Sequence, residues 1–308
     1  MDEFDLAIIG GGPAGMSAAV YASRRAMKAV LLEEKTLGGM LNEIREIDNY
    51  LGFSKATGPQ VSKAFSDHLK TFPVEVREFE AVGAIRKDGN AFLVSGSSGE
   101  ISAKSVLIAT GMKHSGLGLE GESRLLGRGV SYCATCDAPF FKGKKVVVAG
   151  GGDSAISAAL YLCDVASKVY VIHRSEFKAV EVMVQKLREK EKQGKAEILL
   201  GKKIVEIKGE KSLSSLVLED ASGAKSELAV DGLFVYAGGV PLNALAQGLG
   251  VKLNERGFIA SDEEGRTSVA GFFAAGDVTG KGMQVITAAS AGAVAALAAY
   301  KHVKQLPR

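Results

Sequence analysis

The sequence predicts an α/β chain made from two copies of one parallel β-α-β unit, the second inserted within the first. Three observations carry that prediction. Residues 8–21, IIGGGPAGMSAAVY, return as residues 148–161, VAGGGDSAISAALY, at an offset of 140 positions. In each copy a glycine turn separates an apolar, strand-like run (Leu6–Ile9; Val146–Ala149) from an Ala-rich helical pattern. Each copy then carries a second apolar run, Ala29–Leu32 and Val169–Ile172. Strand, helix and strand in that order call for a parallel sheet with a right-handed crossover.

The glycine turns read Gly10-x-Gly12-x-x-Gly15 and Gly150-x-Gly152-x-x-Ala155. In this setting the first glycine permits the tight turn and the second lets backbone approach a pyrophosphate. A small third residue lets helix and strand pack, and the pyrophosphate rests on the positive helix end. The copies differ at the end of the second strand. Glu33 is placed to accept hydrogen bonds from a ribose 2′-hydroxyl, so copy one reads as a site for FAD or NAD. Copy two has His173 there, followed by Arg174 and then Lys178, which would pair with a 2′-phosphate and so reads as NADP. Two dinucleotides in one chain suggest a hydride relay from nicotinamide to flavin.

Further along, Ser105–Gly111 and Gly232–Gly238 read as the last strand of each unit, and Gly238–Pro241 is a breaker cluster. Residues 243–270 read as loop and short strand. Gly271–Asp277 runs as another apolar strand into a turn, and an Ala-rich helix over about Gln284–Val303 follows. The second unit, 115–242, is therefore expected inside a discontinuous first domain, 1–114 plus 243–308. The charged stretch Lys186–Lys195 reads as a solvated helix end.

Composition narrows the function. Lys and Arg exceed Asp and Glu by only three, 38 against 35, which argues against nucleic acid or a polybasic membrane surface as partner. No apolar run is long enough for a membrane-spanning helix, and Met1-Asp2-Glu3-Phe4-Asp5 is acidic where a signal peptide is basic, so a cytoplasmic location is expected. There are three cysteines, too few for a disulfide scaffold, but two form Cys133-x-x-Cys136 with Asp137 beside them. In a reducing compartment that spacing reads as redox or metal chemistry, the blander alternative being a buried pair. A helical turn brings cysteines at i and i+3 within bridging distance, helix-start amides can stabilise a thiolate, and the adjacent carboxyl can move protons. Zinc would need two more ligands. Cys163 lies in an apolar helical pattern and reads as core, while His68, His114, His173 and His302 show no ligand spacing, so no metal is expected.

With these residues assembled, the chain resembles the low-molecular-weight thioredoxin reductases, FAD-dependent pyridine nucleotide-disulfide oxidoreductases, over essentially its whole length. The matching motifs are GGGPAG at 10–15, Gly38-Gly39 with Asn49-Tyr50, Ala109-Thr110-Gly111, CATCD at 133–137, GGGDSA at 150–155, and AAGDV at 274–278 with Gln284-Val285. The resemblance implies two Rossmann-like, three-layer β/β/α domains in a homodimer, carrying electrons from NADPH through FAD to the cysteine pair and on to thioredoxin. It places FAD against Gly10, Gly12, Pro13, Ala14, Gly15 and Glu33. Further contacts would come from Gly39, Met40, Asn49, Val82, Ala109, Thr110 and Gly111, and from Gly276, Asp277, Gln284 and Val285. It places the pyridine nucleotide against Gly152, Asp153, Ser154, His173, Arg174 and Lys178. Cys136 would face the flavin, Cys133 would attack the partner's disulfide, and Asp137 would donate the proton. The family also rotates its inserted domain, with the hinge expected near Gly116–Gly121 and Gly238–Pro241.

Three departures stand out. The family's His-Arg-Arg-x-x-Phe-Arg motif is here His173-Arg174-Ser175-Glu176-Phe177-Lys178, one residue shorter, and lysine keeps the charge without the bidentate fork. Ser157-Ala158 replaces an acidic pair, and Met40 replaces a glutamine near the flavin. Two alternatives stay open: the same fold drawing electrons from NADH or ferredoxin, and a flavin redox module whose protein partner is not thioredoxin.

Overall fold

Leu6–Ile9 and Val146–Val148 are buried on both faces, as central strands of a covered parallel sheet must be. The computed structural model describes residues 1–44 and 46–307. Two compact units emerge, residues 1–113 with 241–308 and residues 114–240. The chain passes between them in the short strands Met112–His114 and Gly239–Pro241. The second crossing falls within the Gly238–Pro241 breaker, whereas the first precedes Gly116–Gly121.

In the first unit five parallel strands lie in the order Phe272–Ala274, Val106–Ile108, Leu6–Ile9, Ala29–Glu33, Glu75–Glu78. Side chains alternate across this sheet. Leu6, Ile8 and Leu31 join a core with Ala18 and Ala22 of the helix Pro13–Arg24 and Ala295 and Ala299 of the helix Val285–Gln305. Ala7, Ile9, Val30 and Leu32 join a second core with Phe92, Val94 and Ile101. Those three belong to the four-stranded sheet Glu3–Phe4, Gly99–Ala103, Ala91–Gly96, Val82–Asp88. The result is three layers: helices, parallel sheet, second sheet.

The second unit repeats the plan. Its parallel strands run in the order Val130–Ser131, Gly232–Val235, Lys145–Ala149, Lys168–His173, Ala196–Leu200. Val146, Val148, Val169 and Val171 face the helices Asp153–Val165 and Glu181–Lys192, and Val147, Ala149 and Ile172 face the antiparallel sheet Lys203–Lys208, Ser215–Glu219, Lys225–Ala229. Cys163 lies in the helix-side core, where burial pushes its thiol up to about 11.

Some local expectations shift. Residues 243–270 hold a short helix, Ala244–Gly248, and only isolated bridges rather than a strand. The closing helix starts one residue later and ends two residues later than its Ala-rich pattern suggested. Gly232–Val235 is second from the sheet edge because Val130–Ser131, too short to read from sequence, pairs outside it. Among the described residues no helix is long and apolar enough to cross a membrane.

Candidate active site

The two glycine turns are built from the same backbone bonds. Gly10 N–H donates to Leu32 O at 2.8 Å and Gly150 N–H to Ile172 O at 3.0 Å. Each first glycine has positive φ, 108° and 155°. A Cβ on either would come within 2.4 Å of a backbone carbonyl, Ala109 O or Tyr236 O, so no other residue fits. Gly12 and Gly152 are the open positions: a Cβ there would meet nothing within 4 Å. Both stand at the N-cap without a side-chain cap, which leaves the first amides of each helix for an anion.

Around the first turn, the Glu33 carboxylate accepts Gly11 N–H at 2.6 Å and Lys35 N–H at 2.8 Å. Each oxygen keeps spare lone-pair capacity for a hydroxyl donor. Glu80 N–H donates to Glu33 O, which draws the segment leading to Val82 alongside. Gly38 N–H donates to Gly11 O, and Gly39 opens a 3-10 turn carrying the exposed Met40, its backbone close to Gly12. Asn49, far away in sequence, donates to Gln284 Oε1 at 2.9 Å, and Gln284 caps the closing helix just before Val285. Thr110 donates to Leu242 O at 2.6 Å, and Gly111 has φ 67°. Gly276 turns the chain over Ala14. Next to it, the half-buried Asp277 carboxyl is pushed above the usual carboxylate range by burial, and among the described residues no donor reaches it. Ala14, Gly15, Glu33, Gly39 and Gly276 thus lie around one turn.

Around the second turn the strand-end position is filled differently. A Cβ on Gly151 would lie 2.4 Å from His173 Cδ2, so the imidazole covers the glycine at close range. Phe177 stacks on that ring at 6.4 Å. Burial, then the cations of Arg174 and Lys178, hold the His173 pKa below its ordinary value. Lys178 N–H donates to Gly151 O at 2.7 Å, the counterpart of the Gly38–Gly11 bond. Asp153 accepts Val180 N–H at 2.8 Å, a protein partner that the motif alone did not suggest. Ser154, Arg174 and Lys178 are exposed.

Cys133 and Cys136 are joined as a disulfide with Cα atoms 5.3 Å apart. Cys133 is the N-cap of the helical turn Ala134–Asp137, and Cys136 N–H points at its sulfur at 3.2 Å. Such an amide stabilises a thiolate. Cys133 and Asp137 are half-buried and Cys136 is exposed. The turn is held from three sides that sequence reasoning missed. Ser131 Oγ accepts Cys133 N–H at 3.0 Å. Tyr236 Oη accepts Ala134 N–H at 3.1 Å. Tyr132 donates to the buried Glu122 at 2.7 Å, and Glu122 also accepts the amides of Leu117 and Gly118. His114 stacks on Tyr132 and meets Tyr236 edge-on. The one available signal was Tyr236 itself, a polar aromatic closing an apolar strand where copy one has Ala109; Glu122 gave none.

Residues 4–293 match the pyridine nucleotide-disulphide oxidoreductase family. The thioredoxin reductase of Bacillus subtilis (strain 168) is 39% identical over 310 residues, covering 98% of this chain and 96% of that protein. The chain belongs to this family, in its thioredoxin reductase branch. The crystal structure of Lactococcus lactis thioredoxin reductase superposes with a TM-score of 0.94 at 38% identity, covering 98% of this chain and 100% of that one. That of T. acidophilum thioredoxin reductase gives 0.92 at 36% identity, covering 98% and 99%.

Membership implies a flavin and a pyridine nucleotide, and both turns fit a dinucleotide. Each leaves its second glycine open beneath a helix start. The first adds a carboxylate acceptor in Glu33 and, at Asp277, a half-buried carboxylate that no donor among the described residues reaches, which hydroxyl groups of a bound ligand would satisfy. The second adds cations and no carboxylate at the strand end.

Proposed function

We propose that the chain is an NADPH-dependent, FAD-containing thioredoxin-disulfide reductase, with FAD in the first unit and the nicotinamide nucleotide in the second. The observation that carries the reading is the Cys133–Cys136 disulfide. It sits at a helix start, with Cys133 half-buried and its sulfur facing an amide and Cys136 exposed, in the unit whose strand end bears His173 and Arg174. The FAD contacts are Gly12, Ala14, Gly15 and Glu33 with Gly39, Met40, Asn49, Val82, Ala109–Gly111, Gly276, Asp277, Gln284 and Val285. Gly152, Ser154, Arg174 and Lys178 hold the NADPH phosphates. Bound FAD supplies the two-electron relay between nicotinamide and disulfide.

This chain's residues then carry the exchange. Once the pair is reduced, the Cys136 amide and the helix start favour the Cys133 thiolate. That thiolate attacks one sulfur of the thioredoxin disulfide, and the other leaves as a thiolate that takes a proton from Asp137. Cys136 then attacks the Cys133 sulfur of the mixed disulfide while its thiol proton passes to the Asp137 carboxylate, which closes Cys133–Cys136, releases the second thioredoxin sulfur as a thiolate and restores the carboxylic acid. Phe140, 72% exposed beside the turn, offers apolar surface to that partner. The working form in this reading is a cytoplasmic homodimer.

Stopped-flow bleaching of the FAD-loaded protein tests the donor, and thioredoxin reduction tests the acceptor. The expected result is bleaching by NADPH, thioredoxin reduction by the wild type, and bleaching without thioredoxin reduction in Cys133→Ser. Bleaching by reduced ferredoxin and by neither nicotinamide would replace the donor; turnover of the physiological acceptor by Cys133→Ser would overturn the dithiol route.

A further inference from the structure

The duplicated turn exposes a change in who ties down the loop after the second strand. In copy one Glu33, at the strand end, binds Gly11 N–H and Lys35 N–H, and Gly38 N–H bonds Gly11 O. A carboxylate at that strand end would repel a 2′-phosphate. In copy two that place is held by His173. The backbone bond is kept, as Lys178 N–H to Gly151 O, but the carboxylate now comes from the helix side: Asp153 accepts Val180 N–H. Position 153 corresponds to Pro13, which has no such acceptor. A negative charge at a helix start that is to receive a pyrophosphate carries an electrostatic cost, so the residue there needs a compensating role.

We infer that Asp153 is a positioning residue for 2′-phosphate selectivity: it anchors the 174–180 loop to the glycine turn so that Arg174 and Lys178 face the adenosine ribose, while keeping carboxylate off the strand end. The inference rests on the NADPH reading above. The bond is exposed, so its loss is worth about 1 kcal/mol, or about fivefold. The effect falls on the 2′-phosphate because the 5′-phosphate rests on the helix-start amides, which do not depend on the loop.

Calorimetry on the full chain with adenosine 2′,5′-bisphosphate and with adenosine 5′-monophosphate separates the roles. The readout is the ratio of the two affinities in wild type, Asp153→Ala and Asp153→Asn. Both variants remove the charge and any helix-dipole benefit, but the asparagine carbonyl still accepts Val180 N–H. The expected ratio drops about fivefold in Asp153→Ala and stays within about twofold of wild type in Asp153→Asn. An equal drop in both variants, an unchanged ratio in Asp153→Ala, or loss of both ligands together overturns the inference. Wild type that binds the two probes equally overturns the NADPH reading instead, and the inference with it.

Discussion

The contact behind the disulfide yields the sharpest stability prediction. Glu122 is buried and accepts three hydrogen bonds, one from the Tyr132 hydroxyl at 2.7 Å. A hydrogen bond to a charged acceptor is worth about 1.5–3 kcal/mol, so Tyr132→Phe should cost about 2 kcal/mol. At the usual urea slope this is a fall in midpoint of about 1 M. The same contact fixes a pH dependence. Burial, with the Glu122 charge, pushes the Tyr132 hydroxyl from 10.0 up to about 12. Between those values the unfolded chain has lost a proton that the folded chain keeps, so the contribution is complete below pH 10 and disappears as pH rises towards 12. The separation corresponds to at most about 2.7 kcal/mol, and solvent screening at a half-buried ring brings it to about 1–2 kcal/mol. The chain has no tryptophan, so in the apoprotein tyrosinate absorbance is read without interference. Of the seven tyrosines, a step near 12 in wild type should be missing from Tyr132→Phe. The reasoning fails if the missing tyrosine titrates near 10, or if the two proteins share a urea midpoint at neutral pH.

Three more expectations concern the turns. Gly151→Ala drives a methyl into the His173 ring, so affinity for NADPH should fall several-fold while far-ultraviolet dichroism is unchanged. Gly10→Ala places Cβ against a backbone carbonyl that cannot yield and demands φ near 108°, so the purified protein should lose bound FAD or fail to fold; full retention of the yellow chromophore would contradict this. Asp277→Asn removes a carboxylate whose pKa burial raises, so the unfolded chain holds fewer protons than the folded one through that range and apoprotein stability falls as pH rises. The variant's apoprotein should therefore gain on wild type above the carboxylate range, matching it at low pH, and the same variant should retain FAD less well.

The parts of the fold that follow from local chemistry were legible in the residues. Continuous apolar runs beside glycine turns gave both central strands and both helices, because burial on two faces leaves no polar alternation to confuse them. Glu33 and His173 were legible as opposites because the repeat supplies its own alignment. What escaped reading depends on partners distant in sequence. The strand Val130–Ser131 exists only because Gly232–Val235 offers it an edge. Glu122 is defined by the amides of 117 and 118 and by Tyr132, and Tyr236 by the amide of Ala134. Nothing in the composition of those segments marks a hydrogen bond across the unit. Asp153 was legible as part of a motif, but its bond to Val180 was not.

The duplication also locates where discrimination between ligands resides. The bonds Gly10–Leu32, Met16–Gly12, Ala109–Ile9 and Gly38–Gly11 have counterparts in Gly150–Ile172, Ile156–Gly152, Tyr236–Ala149 and Lys178–Gly151. All are backbone bonds, so the cradle's shape does not depend on which side chains surround it. The charge differences gather at 13 and 153, 33 and 173, 34 and 174, and 38 and 178, and each alters charge or an acceptor while the turn stays the same. A change of nucleotide preference therefore needs those positions and no remodelling of the strands. It also needs them together: a carboxylate at 173 would lie among Arg174 and Lys178 and pair with them, withdrawing both from any 2′-phosphate. His173→Glu alone should thus lose NADPH affinity without gaining NADH affinity in proportion, whereas the triple change with Arg174 and Lys178 neutralised should shift the preference, and steady-state kinetics with both donors would show which holds.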